Sequence, residues 1–391
     1  MHSFLLYNEQ TTEGFTLVDW NALGVRFLNW RIARKRASLN KLLDRYSNEI
    51  NQANKSSVRA ITGTFITPNP PDYEGINAIE WSTKEWTMEF KRLQSLGIDT
   101  AILQGVISED TEKNWEIYYP ISESAMHILT TATDRLQHKP ILCPNVLPAI
   151  MNAAHHTGMN IHLGLFNTLH GWFGKSNPFL VEQIQAEQIA VAKDLLNLYG
   201  SHPALAGWYI SPEIMYFLHG KMLKLDMNLF LKGITSVLKK GTPKLPIGIS
   251  PGSTLPKGNP EPVLEFWHRT LTNSGVDILY PQDAVGQLVN FPDKAVKLWQ
   301  FWNSIAQKTG LRLWANCESF ERASFNMHNP FIASSFERLK WQLAAASPHV
   351  EKVIGWECMY FLNPQGAAGG ATLEQQYRNH FDKTKITHAR N

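Results

Sequence analysis

Two glutamates stand where short apolar runs give way to polar turns. Glu213 closes LAGWYISPE (Leu205–Glu213), and Glu318 lies in WANCESFE (Trp314–Glu321). Two carboxyls converging on one bond can cleave a glycosidic linkage, one protonating the departing oxygen while the other attacks or activates water. Pairing also separates their pKa values, so that one stays protonated near neutral pH. The ordinary alternative is a pair of rim acids in salt bridges, with Arg59, Arg312 and Arg322 as candidate partners. Near the same strand ends stand Thr64, Gln104, Asn167, His170, Gln282, Asp283, Asn316 and Glu357, with the rings of Trp172, Tyr209, Tyr280, Trp314 and Trp356. Amides, acids and indoles without a basic cluster fit a neutral, hydroxylated ligand better than a phosphate. These thirteen residues are the expected substrate contacts, and Tyr280 or Asn316 is placed to hold a carboxylate.

Such a site needs a frame that brings distant strand ends together. From residue 58 onward, apolar runs bounded by turn signals alternate with helical periodicity, as buried parallel strands and their covering helices do. The spacing predicts strands at Arg59–Ile66, Ile98–Val106, Asn160–Phe166, Leu205–Glu213, Leu245–Ile249, Val276–Tyr280, Leu311–Ala315 and Val350–Trp356. Between and after them, helices are predicted at Lys84–Leu96, Val146–Thr157, Phe179–Tyr199, Asp226–Lys239, Val263–Thr272, Pro292–Thr309, Ser334–Ala346 and Thr372–Phe381. Eight such repeats predict an α/β chain folded as a (β/α)8 barrel over residues 58–391. A doubly wound open sheet would carry a Gly-rich phosphate turn after its first strand, and none is present. In the barrel, strands four and seven face each other across the mouth, which brings Glu213 toward Glu318.

Two segments fall outside the repeat. Residues 1–57 read as a helical, basic extension, with Leu39, Leu42, Leu43, Tyr46 and Ile50 at helical spacing among Arg26, Arg31, Arg34, Lys35, Arg36, Lys41 and Arg45. Such an arm packs across the barrel with its basic face in water, or lies on an anionic membrane surface or a protein partner. The excursion Ile107–Pro144, with Trp115, Tyr118, Tyr119 and a helix near Glu123–Thr131, is long enough to be a wall or lid of the site.

Composition narrows the classes further. A net charge of +3 with dispersed basic residues excludes a nucleic-acid surface as the organising feature. Thirteen Trp and 11% aromatic content suit a sugar cleft and equally suit a large core. Cys143, Cys317 and Cys358 form no CxxC pair and no even framework, in keeping with a reducing compartment. The N-terminus lacks a basic n-region followed by an apolar h-region, and no run reaches the roughly 20 apolar residues of a membrane span, so a cytoplasmic location is expected. His155, His156 and His162 lack HExxH or HxH context, Cys317 alternates away from Glu318, and no GxSxG elbow occurs. No metal or other cofactor is expected.

The phrases ITGTFITP (Ile61–Pro68), LGIDTAILQ (Leu96–Gln104), GWYISPEI (Gly207–Ile214), YPQDAVG (Tyr280–Gly286) and WANCESFE resemble a bacterial family of uncharacterised, glycosidase-like TIM-barrel domains. The likeness covers about Arg59–Pro364. More distantly, the chain is similar to clan A glycoside hydrolases, and that resemblance implies an acid/base role for Glu213 and a nucleophile role for Glu318. The departure is Pro212, which precedes Glu213 where that clan has an asparagine contacting the sugar 2-hydroxyl. Two functions follow as expectations. One is a glycoside hydrolase acting on an oligo- or polysaccharide; the other is a non-catalytic carbohydrate-binding barrel of a polysaccharide or membrane assembly, docked by its basic arm.

Overall fold

The architecture comes from a computed structural model that describes residues 28–38, 41, 58–70, 76–109, 115–131, 139–168, 178–252, 255–256, 258–287, 292–323 and 331–388. Eight parallel strands close into a barrel: β1 (Gly63–Ile66), β2 (Thr100–Leu103), β3 (Asn160–Gly164), β4 (Leu205–Ile210), β5 (Ile247–Ile249), β6 (Ile278–Leu279), β7 (Arg312–Glu318) and β8 (Lys352–Trp356). Each pairs with the next, and β8 closes on β1 through Gly63 opposite Ile354. The helices of the repeat are α1 (Thr83–Ser95), α2 (Val146–Thr157), α3 (Pro178–Tyr199), α4 (Met227–Gly241), α5 (Glu261–Leu271), α6 (Pro292–Thr309), α7 (Phe336–Ala346) and α8 (Gly370–His388). The expected (β/α)8 barrel is therefore the fold.

Local chemistry explains the joints. Ser82 and Glu85 form a capping box at the start of α1, with the Ser82 amide donating to Glu85 at 2.7 Å. The Asp226 carboxylate accepts the Asn228 and Leu229 amides to start α4. Gly158 ends α2 at φ 73°, a left-handed conformation in which a Cβ is strained.

Alternation divides each strand between two cores. The inward side chains Phe65, Ile102, Tyr209, Ile278, Tyr280, Trp314 and Ile354 form one cluster inside the barrel. The outward ones, among them Leu103, Leu163, Trp208, Leu279, Leu313 and Val353, pack beneath the helices. With both faces buried, the strands read as nearly continuous apolar runs, which is why they were visible in the sequence.

The structure departs from expectation in three places. β7 runs to Glu318 rather than stopping at Ala315, because Trp314–Glu318 pairs residue by residue with Lys352–Trp356. The excursion after β2 does hold a helix, Glu123–Thr130, but also three strands of a small sheet ordered Ile141–Leu142, Trp115–Ile117, Ile107–Glu109 and Phe166–Thr168. After β7 the chain makes an antiparallel pair, Phe320–Arg322 with Phe331–Ala333. Of the basic arm, residues 28–38 are helical; Ile32 is buried in the outer core and Arg36 forms an ion pair with Glu321. Leu39, Leu42, Leu43, Tyr46 and Ile50 lie outside the described residues. No helix among the described residues is long and apolar enough to cross a membrane.

Candidate active site

At the C-terminal mouth, inward alternation runs to the end of β7 and continues three residues past β4. On β4 it carries the register from Gly207 and Tyr209 through Ser211 to Glu213; on β7 from Trp314 and Asn316 to Glu318. Both candidate carboxylates thus occupy top inward positions, the place where barrel enzymes put their chemistry.

Glu213 is half-buried, and its carboxyl lies against Gly252, where a Cβ would come within 2.5 Å of Oε1. Burial pushes its pKa up to about 7, and a hydrogen bond from the Gln282 side chain opposes the rise. Gln282 in turn bridges to Asn316 in parallel register, two residues before Glu318. Glu213, Gln282, Asn316 and Glu318 therefore form a polar strip across β4, β6 and β7. Asn316 is fully buried, and neither its amide nitrogen nor its amide oxygen has a hydrogen-bond partner among the described residues.

Glu318 is held on all sides. Its amide donates to Asp283 Oδ1 at 3.2 Å, and its carbonyl accepts from Arg338 at 3.0 Å and from Gln342 at 3.1 Å. Its carboxyl Oε2 accepts the Gln287 amide at 2.9 Å and rests against Gly286, where a Cβ would approach to 3.0 Å. Burial and the neighbouring Asp283 carboxylate raise its pKa to about 8, while the Gln287 amide and the Arg338 guanidinium act in the opposite direction. Asp283 is fully buried and accepts from Gln342 at 2.6 Å and from the Val285 amide at 3.2 Å. It braces Glu318 from below, with both oxygens engaged by the protein.

A second polar sector lies at the tops of β8, β1 and β2. Glu357 is fully buried, its Oε1 accepting the Thr67 hydroxyl at 2.6 Å, and Thr67 also contacts Gln104 Oε1 at 3.0 Å. Burial lifts the Glu357 pKa to about 8. Between the two sectors the floor is aromatic: Phe65 meets Tyr209 at 5.2 Å and Trp356 at 4.9 Å, and Tyr209 lies 6.0 Å from Tyr280. Tyr280 donates to or accepts from His162 Nδ1 at 2.9 Å, depending on the imidazole tautomer.

Two expected contacts sit elsewhere. Thr64 points outward from β1, where its hydroxyl donates to the Gly355 carbonyl at 3.1 Å and accepts the Cys358 amide at 2.9 Å. Trp314 lies two inward positions below Glu318, because β7 is longer than expected, and faces the opposite end of the barrel. There it lines a cavity of about 430 Å³ with His162, Arg312, Glu351, Lys352 and Asp99. The charges around that cavity are matched, Arg312 with Glu351 at 2.7 Å and Lys352 with Asp99 at 2.6 Å. Asn167 is buried on the strand Phe166–Thr168 beside Gly105, whereas His170 and Trp172 lie outside the described residues. The three candidate arginines have other partners: the Arg59 guanidinium donates to the Ser347 carbonyl, Arg312 pairs with Glu351 and Arg322 donates to Gln287. No group of three or more His, Cys, Asp or Glu side chains able to hold a metal occurs among the described residues.

Sequence reading missed Arg338, Gln342, Thr67 and Gln287. The first two carried a signal: they stand four residues apart on one face of α7, among the apolar Leu339, Trp341 and Leu343. Thr67 and Gln287 follow strands by a distance no pattern fixes.

Comparison with known proteins places these features in context. A family model described as "Domain of unknown function (DUF4434)" matches residues 61–368. Among solved structures, a "putative alpha-L-fucosidase" from Bacteroides thetaiotaomicron is 21% identical, with a TM-score of 0.64, covering 84% of this chain and 95% of that one. A beta-galactosidase from the psychrophilic Marinomonas ef1 is 11% identical, with a TM-score of 0.50, covering 84% of this chain and 60% of that one. At these identities the likeness is one of fold. No curated protein matches.

Proposed function

The chain belongs to the DUF4434 family, and from the make-up of its barrel mouth we propose that it is a glycoside hydrolase in which Glu213 is the general acid/base and Glu318 the nucleophile. The observation that carries this reading is the strip Glu213–Gln282–Asn316–Glu318 across β4, β6 and β7. Names of the structural neighbours, a fucosidase and a galactosidase, lend it secondary support.

The roles follow from the surroundings. A general acid needs a carboxyl that keeps its proton near neutral pH, and burial of Glu213 supplies one at about 7. A nucleophile needs a fixed carboxylate, and Glu318 is clamped at its amide, its carbonyl and one carboxyl oxygen. Burial and Asp283 hold Glu318 at about 8, above Glu213, while the Gln287 amide and Arg338 favour its ionised form; the places of the two carboxyls at β4 and β7, not the order of their pKa values, assign the roles. Protonation of the leaving oxygen by Glu213 and attack by Glu318 at the anomeric carbon give a glycosyl–enzyme ester; Glu213 then deprotonates the water that hydrolyses it. Gln104, Gln282, Asn316 and the rings of Tyr209 and Trp356 supply hydrogen bonds and a stacking surface for the sugar.

The test is a screen of aryl glycosides and oligosaccharides, measuring both binding and product formation for wild type and Glu318→Gln. Turnover by wild type with binding but no turnover by the variant supports the reading. Binding without turnover by wild type replaces it with a carbohydrate-binding barrel.

A further inference from the structure

The sector opposite the carboxylate strip contains a hydrogen-bond count that does not close with every group in its ordinary state. Thr67 Oγ1 lies 2.6 Å from Glu357 Oε1 and 3.0 Å from Gln104 Oε1. A threonine hydroxyl has one proton, and a carboxylate oxygen and an amide oxygen are both acceptors. One proton cannot fill both gaps. With Gln104 in this orientation, a second proton must lie between Thr67 and Glu357, and the carboxyl is the group that can carry it.

The surroundings of Glu357 agree. It is fully buried, and its other oxygen, Oε2, has no hydrogen-bond partner among the described residues. The groups facing it are uncharged: Thr67 beyond β1, Gln104 beyond β2, the Cys358 thiol, which burial keeps protonated, and Tyr360 of the short helix Cys358–Phe361, whose hydroxyl donates to the Thr67 carbonyl. Arg92 of the covering helix α1 is engaged with Glu89, Glu374 and the carbonyls of Leu362 and Cys358. An isolated buried carboxylate is costly, and neutralisation is the usual escape. Burial raises its pKa against the opposing hydrogen bonds from the Thr67 hydroxyl and the Thr67 amide, which points the same way.

We propose that Glu357 is a positioning residue, the neutral acid at the head of a chain in which Glu357 O–H donates to Thr67 Oγ1 and Thr67 O–H donates to Gln104 Oε1. Gln104 is thereby fixed with both amide N–H bonds toward the barrel mouth. The ligand atom it meets is an acceptor, such as a sugar ring oxygen, a hydroxyl oxygen or an acyl carbonyl. Loss of the Glu357 proton reverses the chain. Thr67 then donates to the carboxylate, the Gln104 amide turns over to donate Nε2–H to Thr67, and its carbonyl oxygen faces the mouth instead. One proton on a residue that touches no ligand thus sets whether the site offers a donor or an acceptor. The inference rests on the proposed function only in taking Gln104 as a wall of the ligand site, and its test needs no substrate.

The experiment is a pH titration by NMR of the full chain carrying 13Cδ-labelled glutamate and side-chain 15N-labelled glutamine. Wild type is compared with Glu357→Gln, Thr67→Val and Gln104→Asn, the last assigning the Gln104 resonance. We expect a carboxylic-acid 13C signal that persists through pH 7 and is missing from Glu357→Gln, while those of Glu213 and Glu318 remain in that variant. The Gln104 Nε2 signal should move with that group's midpoint, and should lose its pH dependence in both Glu357→Gln and Thr67→Val. A Glu357 carbon already in its carboxylate form at pH 6 would overturn the proposal. So would a Gln104 signal that ignores the Glu357 titration, whereas failure of the glycosidase reading would leave both signals unchanged.

Discussion

Acid should weaken this barrel through His162. The ring lies inside the barrel, 3% exposed, with Nδ1 bonded to the Tyr280 hydroxyl and its plane 5.6 Å from Trp314. Burial, with Lys352 and Arg312 nearby, lowers its pKa from 6.5 to about 3, so the folded protein keeps it neutral. Between pH 6.5 and 3 the unfolded chain binds a proton there that the folded chain refuses. The stabilisation is full above pH 6.5 and is lost progressively as pH falls toward 3. At pH 5 the loss is about 1.5 units, roughly 2 kcal/mol at 1.36 kcal/mol per unit. His162→Gln keeps a hydrogen-bonding group beside Tyr280 and removes the titration. Urea unfolding at pH 7.5 and 5.0 should show wild type losing about 2 kcal/mol more than the variant between the two pH values. Because the other titrating groups are common to both proteins, the double difference isolates His162. Equal losses would mean that His162 is already charged or solvated in the native barrel, and the packing around it would be wrong.

Other outcomes follow from the same geometry. Glu357→Gln should change stability with the opposite pH sign: the native carboxyl, with its pKa at about 8, keeps a proton that the unfolded chain loses above about 4.5. Wild-type stability therefore falls through that window by roughly 1.4 kcal/mol per pH unit from this group, and unfolding curves of the variant should lack that slope. Gly286→Ala puts a Cβ 2.4 Å from the Phe320 carbonyl and 3.0 Å from Glu318 Oε2; the backbone must shift at the first contact and the carboxyl with it, which should lower kcat by about 10-fold with the fold intact by circular dichroism. Arg338→Met strands the Phe320 carbonyl in a buried setting, while the Glu318 carbonyl keeps its bond from Gln342, and should cost about 2 kcal/mol in chemical denaturation. With Glu213 at about 7 and Glu318 at about 8, the reactive form (Glu213 protonated, Glu318 ionised) is the minor singly protonated state, so hydrolysis should follow a bell-shaped pH profile with its maximum between about 7 and 8. Gln282→Leu removes a bond that favours the Glu213 carboxylate, so the rising, lower-pH limb should move to higher pH.

The barrel was legible because each strand is buried on both faces and each helix on one, so hydrophobic periodicity tracks the architecture directly. The small sheet was not, because strands of two or three residues, such as Ile141–Leu142, carry too few alternations to register. The positions of Glu213 and Glu318 at the mouth followed from counting strands. Their chemistry did not: Asp283 beneath Glu318, and Gln282 beside Glu213, depend on how loops from neighbouring strands fold back. Trp314 shows the cost of a boundary error, since three further residues in β7 move an indole from the mouth to the opposite end. Thr64 shows the cost of a parity error, since one residue along a strand separates the barrel interior from its wall.

The central claim is that Glu213 and Glu318 together cleave a glycosidic bond, and single-turnover hydrolysis of a glycoside accepted by wild type tests it most directly. Glu213→Gln and Glu318→Gln should each slow cleavage by at least about 10²-fold while binding and thermal stability persist. Cleavage at the wild-type rate by either variant would contradict the account.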